Sequence, residues 1–78
     1  MNKQRRKELD RAVTMLDEAK SIIENAGSEE QDYRDNAPEN MEYSEKYERA
    51  EEVAQELEEI TSEIEDLISR TNETQEAV

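Results

Sequence analysis

Hydrophobic residues follow a helical period in two separate segments of the chain. In the first segment they recur at alternating intervals of three and four residues, which places their side chains on one face of an α-helix. This pattern predicts a first helix over about residues 3–26, with Gly27 at the position of a C-cap. The face consists of Leu9, Ala12, Leu16, Ala19, Ile23 and Ala26, and it is widened by Val13, Met15 and Ile22.

The second segment has a seven-residue repeat and predicts a second helix over about residues 43–71, with Ser44 as its N-cap. The first row of the repeat is Tyr43, Ala50, Leu57, Ile64 and Thr71. The matching second row is Val53, Ile60 and Leu67, and an adjacent row holds Tyr47, Ala54 and Ile68. The three rows together form a stripe that is wider than the strict seam of a two-stranded coiled coil. Residues 72–78 carry no apolar stripe and are expected to fray.

The residues between the two helices contain turn signals. Because Ser28 and Gln31 fit a capping box, two readings stay open: a short helix restarts at Glu29, or the first helix continues through Gly27 to about residue 34. Continuation would cost about 1 kcal/mol for the interior glycine. The turn is expected over residues 35–42, since a proline disfavours helical backbone in the residue before it. The turn motif is Asp35, Asn36, Pro38, Glu39 and Asn40.

Two long helices joined by one turn predict an all-α fold, an antiparallel helical hairpin. Residues 3–11 carry a net charge of +3 and residues 57–70 a net charge of −4, and we expect the hairpin to bring these two regions side by side. The apolar stripes are too wide for two helices alone, so a homodimer forming a four-helix bundle is predicted. The alternative is a monomer with a short third helix over residues 29–35. An apolar cluster near the turn is expected from Tyr33, Met41, Tyr43 and Tyr47.

Composition excludes several kinds of chemistry. The 78 residues include no Cys and no His and only one Gly. Zinc sites built on Cys or His, thiol nucleophiles, Ser-His-Asp triads and glycine-rich phosphate loops are therefore excluded. We expect no catalytic, cofactor-binding or metal-binding residues, and so no enzymatic activity. The sequence contains no apolar run long enough to cross a membrane, and a cytoplasmic location is expected.

Negative charge is concentrated in the second half of the chain. The net charge is −13 in total and −10 over residues 39–66, which disfavours binding to nucleic acid or to anionic lipid. Helical spacing places six carboxylates in one line, about 5 Å apart along the axis. They are Glu45, Glu48, Glu52, Glu56, Glu59 and Glu63. Two readings stay open: a DNA mimic that binds a basic protein surface, or a solvated face rich in Glu because Glu favours helix.

The start of the chain and its turn together resemble a class of small acidic proteins of phages and prophages of Gram-positive bacteria. The class shares an Arg-Arg-Lys-Glu-Leu start, matched by residues 5–9, and an Asp-Asn-x-Pro-Glu turn, matched by residues 35–39. A Ser-Glu helix start, matched by Ser44 and Glu45, and a Glu-rich amphipathic helix follow. The resemblance implies a phage protein that acts in the bacterial host cytoplasm.

Small acidic phage proteins without catalytic residues include anti-CRISPR proteins and other anti-restriction DNA mimics. By analogy with them, we expect a non-enzymatic inhibitor or modulator of a host or defence nucleic-acid-binding protein. The alternative is a structural or assembly adaptor, a coiled coil that binds its partner through the apolar stripe.

Overall fold

The computed structural model describes residues 1–36 and 45–77, and it contains two α-helices in them. Helix α1 spans Lys3–Asp35 and helix α2 spans Glu45–Glu76. They pack against each other in an antiparallel pair measuring 60 × 16 × 13 Å. The predicted all-α helical hairpin is therefore confirmed.

Helix α1 runs without a break through Gly27, so the prediction of a C-cap at this residue is wrong. The alternative of a separate helix over residues 29–35 is wrong for the same reason. Gly27 does not have the positive φ of a helix-ending glycine. A Cβ atom built on it would lie 3.5 Å from the Cβ of Leu57, so this glycine faces α2. Packing against α2 offsets the weak helical propensity of glycine.

Both ends of α1 are capped by asparagine. The backbone N–H of Arg5 donates to Asn2 Oδ1 at 2.8 Å, which satisfies one of the free donors of the first turn. At the other end, the backbone N–H of Asn36 donates to the carbonyl of Asp32 at 2.9 Å. Asp35 is helical, so the turn predicted from residue 35 begins no earlier than Asn36.

The prediction that the chain frays from residue 72 onward is wrong, because helix α2 continues to Glu76. The side-chain amide of Gln75 donates to Asp10 Oδ1 of α1 at 3.2 Å, which ties this end to the other helix. The predicted N-cap at Ser44, the start of helix α2 at Tyr43, and Met41 all lie outside the described residues.

The register of the two helices follows from three contacts that cross between them. They join Asp10 to Gln75, Lys20 to Glu65, and Arg34 to Glu51. The two residue numbers in each pair add up to 85, so residues 57–70 lie opposite residues 15–28. The prediction that residues 3–11 lie beside residues 57–70 is therefore wrong, although the antiparallel direction that it supported is right.

The core is a narrow seam between the helices. In α1 the predicted stripe from Leu9 to Ala26 faces this seam and is half-buried throughout. In α2 the seam contains the first row and the adjacent row of the repeat, with Ala50 only 4% exposed. The second row lies at the edge of the seam, because Val53 and Leu67 are exposed while Ile60 is half-buried. The missing side chain of Gly27 lets α1 approach α2 closely at Leu57.

Thr61 lies in the middle of this seam and is 9% exposed, the one buried polar residue among those described. Its hydroxyl donates to the carbonyl of Leu57 at 2.9 Å, one turn earlier in the same helix. The hydroxyl is thus satisfied without a partner on α1, and the γ-methyl group is left for packing.

Candidate functional site

The hairpin has two long sides, one on each flank of the seam, and the first is polar. Two ion pairs cross between the helices on this polar side. Lys20 Nζ lies 3.8 Å from Glu65 Oε1, and Arg34 Nη1 lies 3.8 Å from Glu51 Oε1. The side chains of Lys20 and Arg34 are each only about one-quarter exposed, so their aliphatic stems cover the seam while their charged ends reach an acid.

The opposite side is apolar. Tyr33 of α1 and Val53 of α2 line the same shallow depression, so they lie on one side of the hairpin. Ile60 and Leu67 follow Val53 at intervals of seven, about two turns each, and therefore face the same way. Among the described residues, the exposed large apolar side chains belong to this side: Met15 at 52%, Ile22 at 69%, Tyr33 at 48%, Val53 at 37% and Leu67 at 44%.

Together with the half-buried Ile60, these five residues make up the surface that we call the apolar stripe: Met15, Ile22, Tyr33, Val53, Ile60 and Leu67. The register interleaves the two helices along it, since Leu67 lies level with residue 18 and Ile60 with residue 25. The stripe extends from Met15 to Tyr33, a distance of about 27 Å at about 1.5 Å per residue. An exposed surface of this kind is typical of a protein interaction site.

Acidic residues line both edges of the apolar stripe. On α2, Glu56 and Glu63 lie three or four residues from Ile60, so they are its neighbours on the helix surface. On α1, Glu18 lies at the same spacing between Met15 and Ile22. We call this set the acidic border: Glu18, Glu29, Glu52, Glu56 and Glu63. All five side chains are exposed, and within the described residues none of them forms an ion pair.

The structure places all six glutamates of the predicted acidic face on the surface of α2. Glu45, Glu48, Glu52, Glu56, Glu59 and Glu63 are exposed, and no cation of the described part of the chain lies within ion-pair distance of them. Three of the six also belong to the acidic border. The sequence pattern does not reveal this adjacency, because it depends on which row of α2 remains outside the seam.

The predicted turn motif is only partly described. Asp35 is held by its neighbour, since Arg34 Nη2 lies 3.1 Å from Asp35 Oδ1 while Nη1 of the same guanidinium faces Glu51. Asp35 therefore belongs to a structural ion-pair network, and Asn36 caps α1. Pro38, Glu39 and Asn40 lie outside the described residues.

The structure of residues 1–36 and 45–77 also bears on two other features, a metal site and a membrane-spanning helix. Over these residues, no three acidic side chains come together in a cluster that could hold a metal ion. Neither α1 nor α2 is long and apolar enough to cross a membrane. The distinctive surface of this part of the molecule is therefore the apolar stripe with its acidic border.

No family model matches the sequence, and no curated protein or solved structure is significantly similar to it.

Proposed function

We propose that this hairpin is a non-enzymatic protein-binding module that inhibits or modulates a nucleic-acid-handling protein by binding to its basic surface. The observation that carries the proposal is the row of six exposed glutamates on α2, none of which lies within ion-pair distance of a cation among the described residues. Carboxylates that are not neutralised within their own chain attract positively charged partners.

The spacing of this row supports mimicry of a nucleic acid strand. From Glu45 to Glu63 the row covers eighteen residues, or about 27 Å of helix at about 1.5 Å per residue. Its charges recur about every 5 Å, compared with one phosphate per about 3.4 Å along one strand of duplex DNA. A groove lined with Lys and Arg would gain the release of its counterions on binding either surface.

The biological setting in this proposal follows from the resemblance to small acidic phage proteins. In that setting the hairpin acts in the cytoplasm of a bacterial host, and its target is a host or defence protein, as for anti-CRISPR proteins and other DNA mimics. The hairpin itself would bind neither nucleic acid nor membrane, because its net charge of −13 repels both.

The test is capture of a host protein on the immobilised hairpin, followed by competition with duplex DNA. We expect a nucleic-acid-binding protein that is released by raised salt and by excess DNA. The variant with Glu45, Glu52, Glu56 and Glu59 changed to Gln should lose the capture. A control with Glu24, Glu58, Glu73 and Glu76 changed to Gln removes the same charge elsewhere and should retain it. Capture that neither DNA nor the first variant reduces would disprove mimicry.

The adaptor function predicted as the alternative is a second candidate, and the exposure of the apolar stripe favours it. An adaptor would bind through Met15, Ile22 and Leu67, and its binding would change little with salt, because burial of apolar surface is only weakly sensitive to ionic strength. Retention of the captured protein in high salt would favour this second candidate.

The homodimer predicted from the sequence stays a prediction, and it is an alternative to the binding of another protein through the apolar stripe. Two hairpins that covered each other's apolar stripes would form the predicted four-helix bundle. Sedimentation equilibrium tests it, because a dimer has twice the 9.1 kDa mass of the chain.

A further inference from the structure

The apolar stripe and the acidic border together have the form of a groove for one helix. We propose that they bind a single amphipathic helix of a partner protein, whose apolar face covers the stripe and whose flanks carry Lys or Arg. This inference rests on the proposed function, since it specifies which part of a basic partner the hairpin recognises and through which side.

The shape of the stripe favours a helix as its occupant. Two parallel ridges with a shallow groove between them accept a third helix by ridge-into-groove packing. The length of about 27 Å corresponds to about eighteen residues of a partner helix. Near one end, Tyr33 and Val53 line a depression of about 360 Å³, and near the other, Leu9 and Leu67 line one of about 280 Å³. Large apolar side chains of the partner can pack into both.

The charges beside the stripe favour a basic occupant. On a helix lying in this groove, the residues that flank its apolar face would lie against the acidic border, as in the flanking positions of a coiled coil. The five carboxylates of the border have no cationic partner in the described residues, so Lys and Arg on the occupant would form new ion pairs. The basic side chains near the stripe, Arg11 and Arg70 at one end and Lys46 and Arg49 at the other, leave its middle acidic.

The same charges disfavour a second copy of the chain as the occupant. Both edges of the middle of the stripe are acidic, with Glu18 on α1 and Glu56 and Glu63 on α2. A two-fold arrangement of two copies that is centred on the middle of the stripe would therefore set carboxylates against carboxylates there, which is unfavourable. A helix with basic flanks replaces this repulsion by attraction at every such position.

Two designed peptides of eighteen residues test the proposal. Both carry Leu at heptad positions, and their flanks carry either Lys or Glu. Fluorescence anisotropy of the labelled peptides measures binding to the full-length hairpin in low and in high salt. We expect the Lys peptide to bind and the Glu peptide to bind at least about tenfold more weakly.

Matched variants then locate the binding side. The double substitution Ile22→Gln and Leu67→Gln changes two exposed residues, leaves the charge unchanged, and should raise the Kd of the Lys peptide at least about tenfold. Glu56→Gln with Glu63→Gln should raise it about three- to tenfold in low salt. The control Glu24→Gln with Glu58→Gln removes the same charge from the polar side and should change it less than about twofold. Circular dichroism checks that each variant stays helical.

Three results would overturn the inference. If the Lys peptide binds the Ile22→Gln/Leu67→Gln variant as tightly as it binds the unchanged hairpin, the acidic row acts without the apolar stripe. The proposed function would survive that result. Equal binding of both peptides would show that the border does not select charge. A hairpin that sediments as a dimer, and becomes monomeric with Ile22→Gln and Leu67→Gln, would show that a second copy occupies the stripe. Failure of the proposed function is seen separately, in the DNA-competed capture.

Discussion

The two long sides of the hairpin are built from the same two helices around the same seam, yet they differ in the side chains that lie beside the seam. On the polar side, Lys20 and Arg34 lie across the seam and reach Glu65 and Glu51 of α2. On the apolar side, Met15, Ile22 and Leu67 extend outward and remain largely exposed. The comparison indicates that side chains close the seam on the polar side, while large apolar side chains remain exposed to solvent on the other.

The largest expected effect compares a seam residue with a residue of the apolar stripe one turn away. Ala50 is 4% exposed and Val53 is 37% exposed. Ala50→Glu would force a carboxylate into the seam and should destabilise the hairpin by about 2–4 kcal/mol. Val53→Glu adds the same charge on the apolar side, and its cost should stay below about 1 kcal/mol. Urea denaturation followed by circular dichroism measures both.

Equal losses of stability from Ala50→Glu and Val53→Glu would contradict the distinction between seam and stripe. Ala50→Gln separates charge from size. It should retain part of the destabilisation, because the longer side chain overpacks the seam even when it is neutral.

The second prediction concerns the closest approach of the helices. Gly27→Ala should stabilise the hairpin by about 0.5–1 kcal/mol, because alanine favours helix and restricts the unfolded chain. The backbone φ is negative, and the added Cβ would make an ordinary contact with Leu57 at 3.5 Å. Thermal unfolding at several urea concentrations measures the change.

Gly27→Leu is the matched control for this site. A bulky side chain facing Leu57 should push α2 away and destabilise the hairpin by about 1–3 kcal/mol. A leucine that is tolerated as well as alanine would show that this position does not face the seam.

The third prediction concerns the polar side. A double-mutant cycle with Lys20→Gln and Glu65→Gln should give a coupling energy of about 0.2–0.5 kcal/mol, because the Glu65 side chain is 57% exposed and water screens the pair. The coupling should fall toward zero in about 1 M salt, where the Debye length is about 3 Å. A coupling that high salt leaves unchanged would mean that the pair is more buried than the structure shows.

The smallest expected effect on stability is at the apolar stripe. Ile22 is 69% exposed, so Ile22→Gln should change the free energy of unfolding by less than about 0.5 kcal/mol. This near-neutrality makes the substitution a clean probe of binding. A loss above about 1.5 kcal/mol would show that a second chain covers Ile22 in solution.

The sequence predicted the helices better than it predicted their pairing. The three-and-four spacing from Leu9 to Ala26 identified the seam face of α1 correctly, because an amphipathic period is a property of a single helix. The sequence left open whether the first helix continues through Gly27 or a short helix restarts at Glu29. The choice between them depends on Leu57, which is thirty residues away along the chain.

The candidate site was predicted only in part. The six glutamates on α2 were correctly expected to share an exposed surface, since charge and helical spacing can both be read from the sequence. The sequence predicted apolar stripes too wide for two helices alone, but it did not identify Val53 and Leu67 as the part of the α2 stripe that stays exposed. Helix α2 has three neighbouring apolar rows, and its sequence alone does not determine which two of them pack in the seam.

The sequence by itself determined an acidic, all-α hairpin without Cys or His chemistry, because composition and period act locally. Only the tertiary structure decided the register of the helices and hence which residues remain outside. The physical reason is packing between the helices: α2 buries Ala50 and Thr61 in the seam and leaves Val53 and Leu67 exposed at its edge. Because of this packing, the apolar stripe lies next to the exposed glutamates of the acidic border on one side of the hairpin.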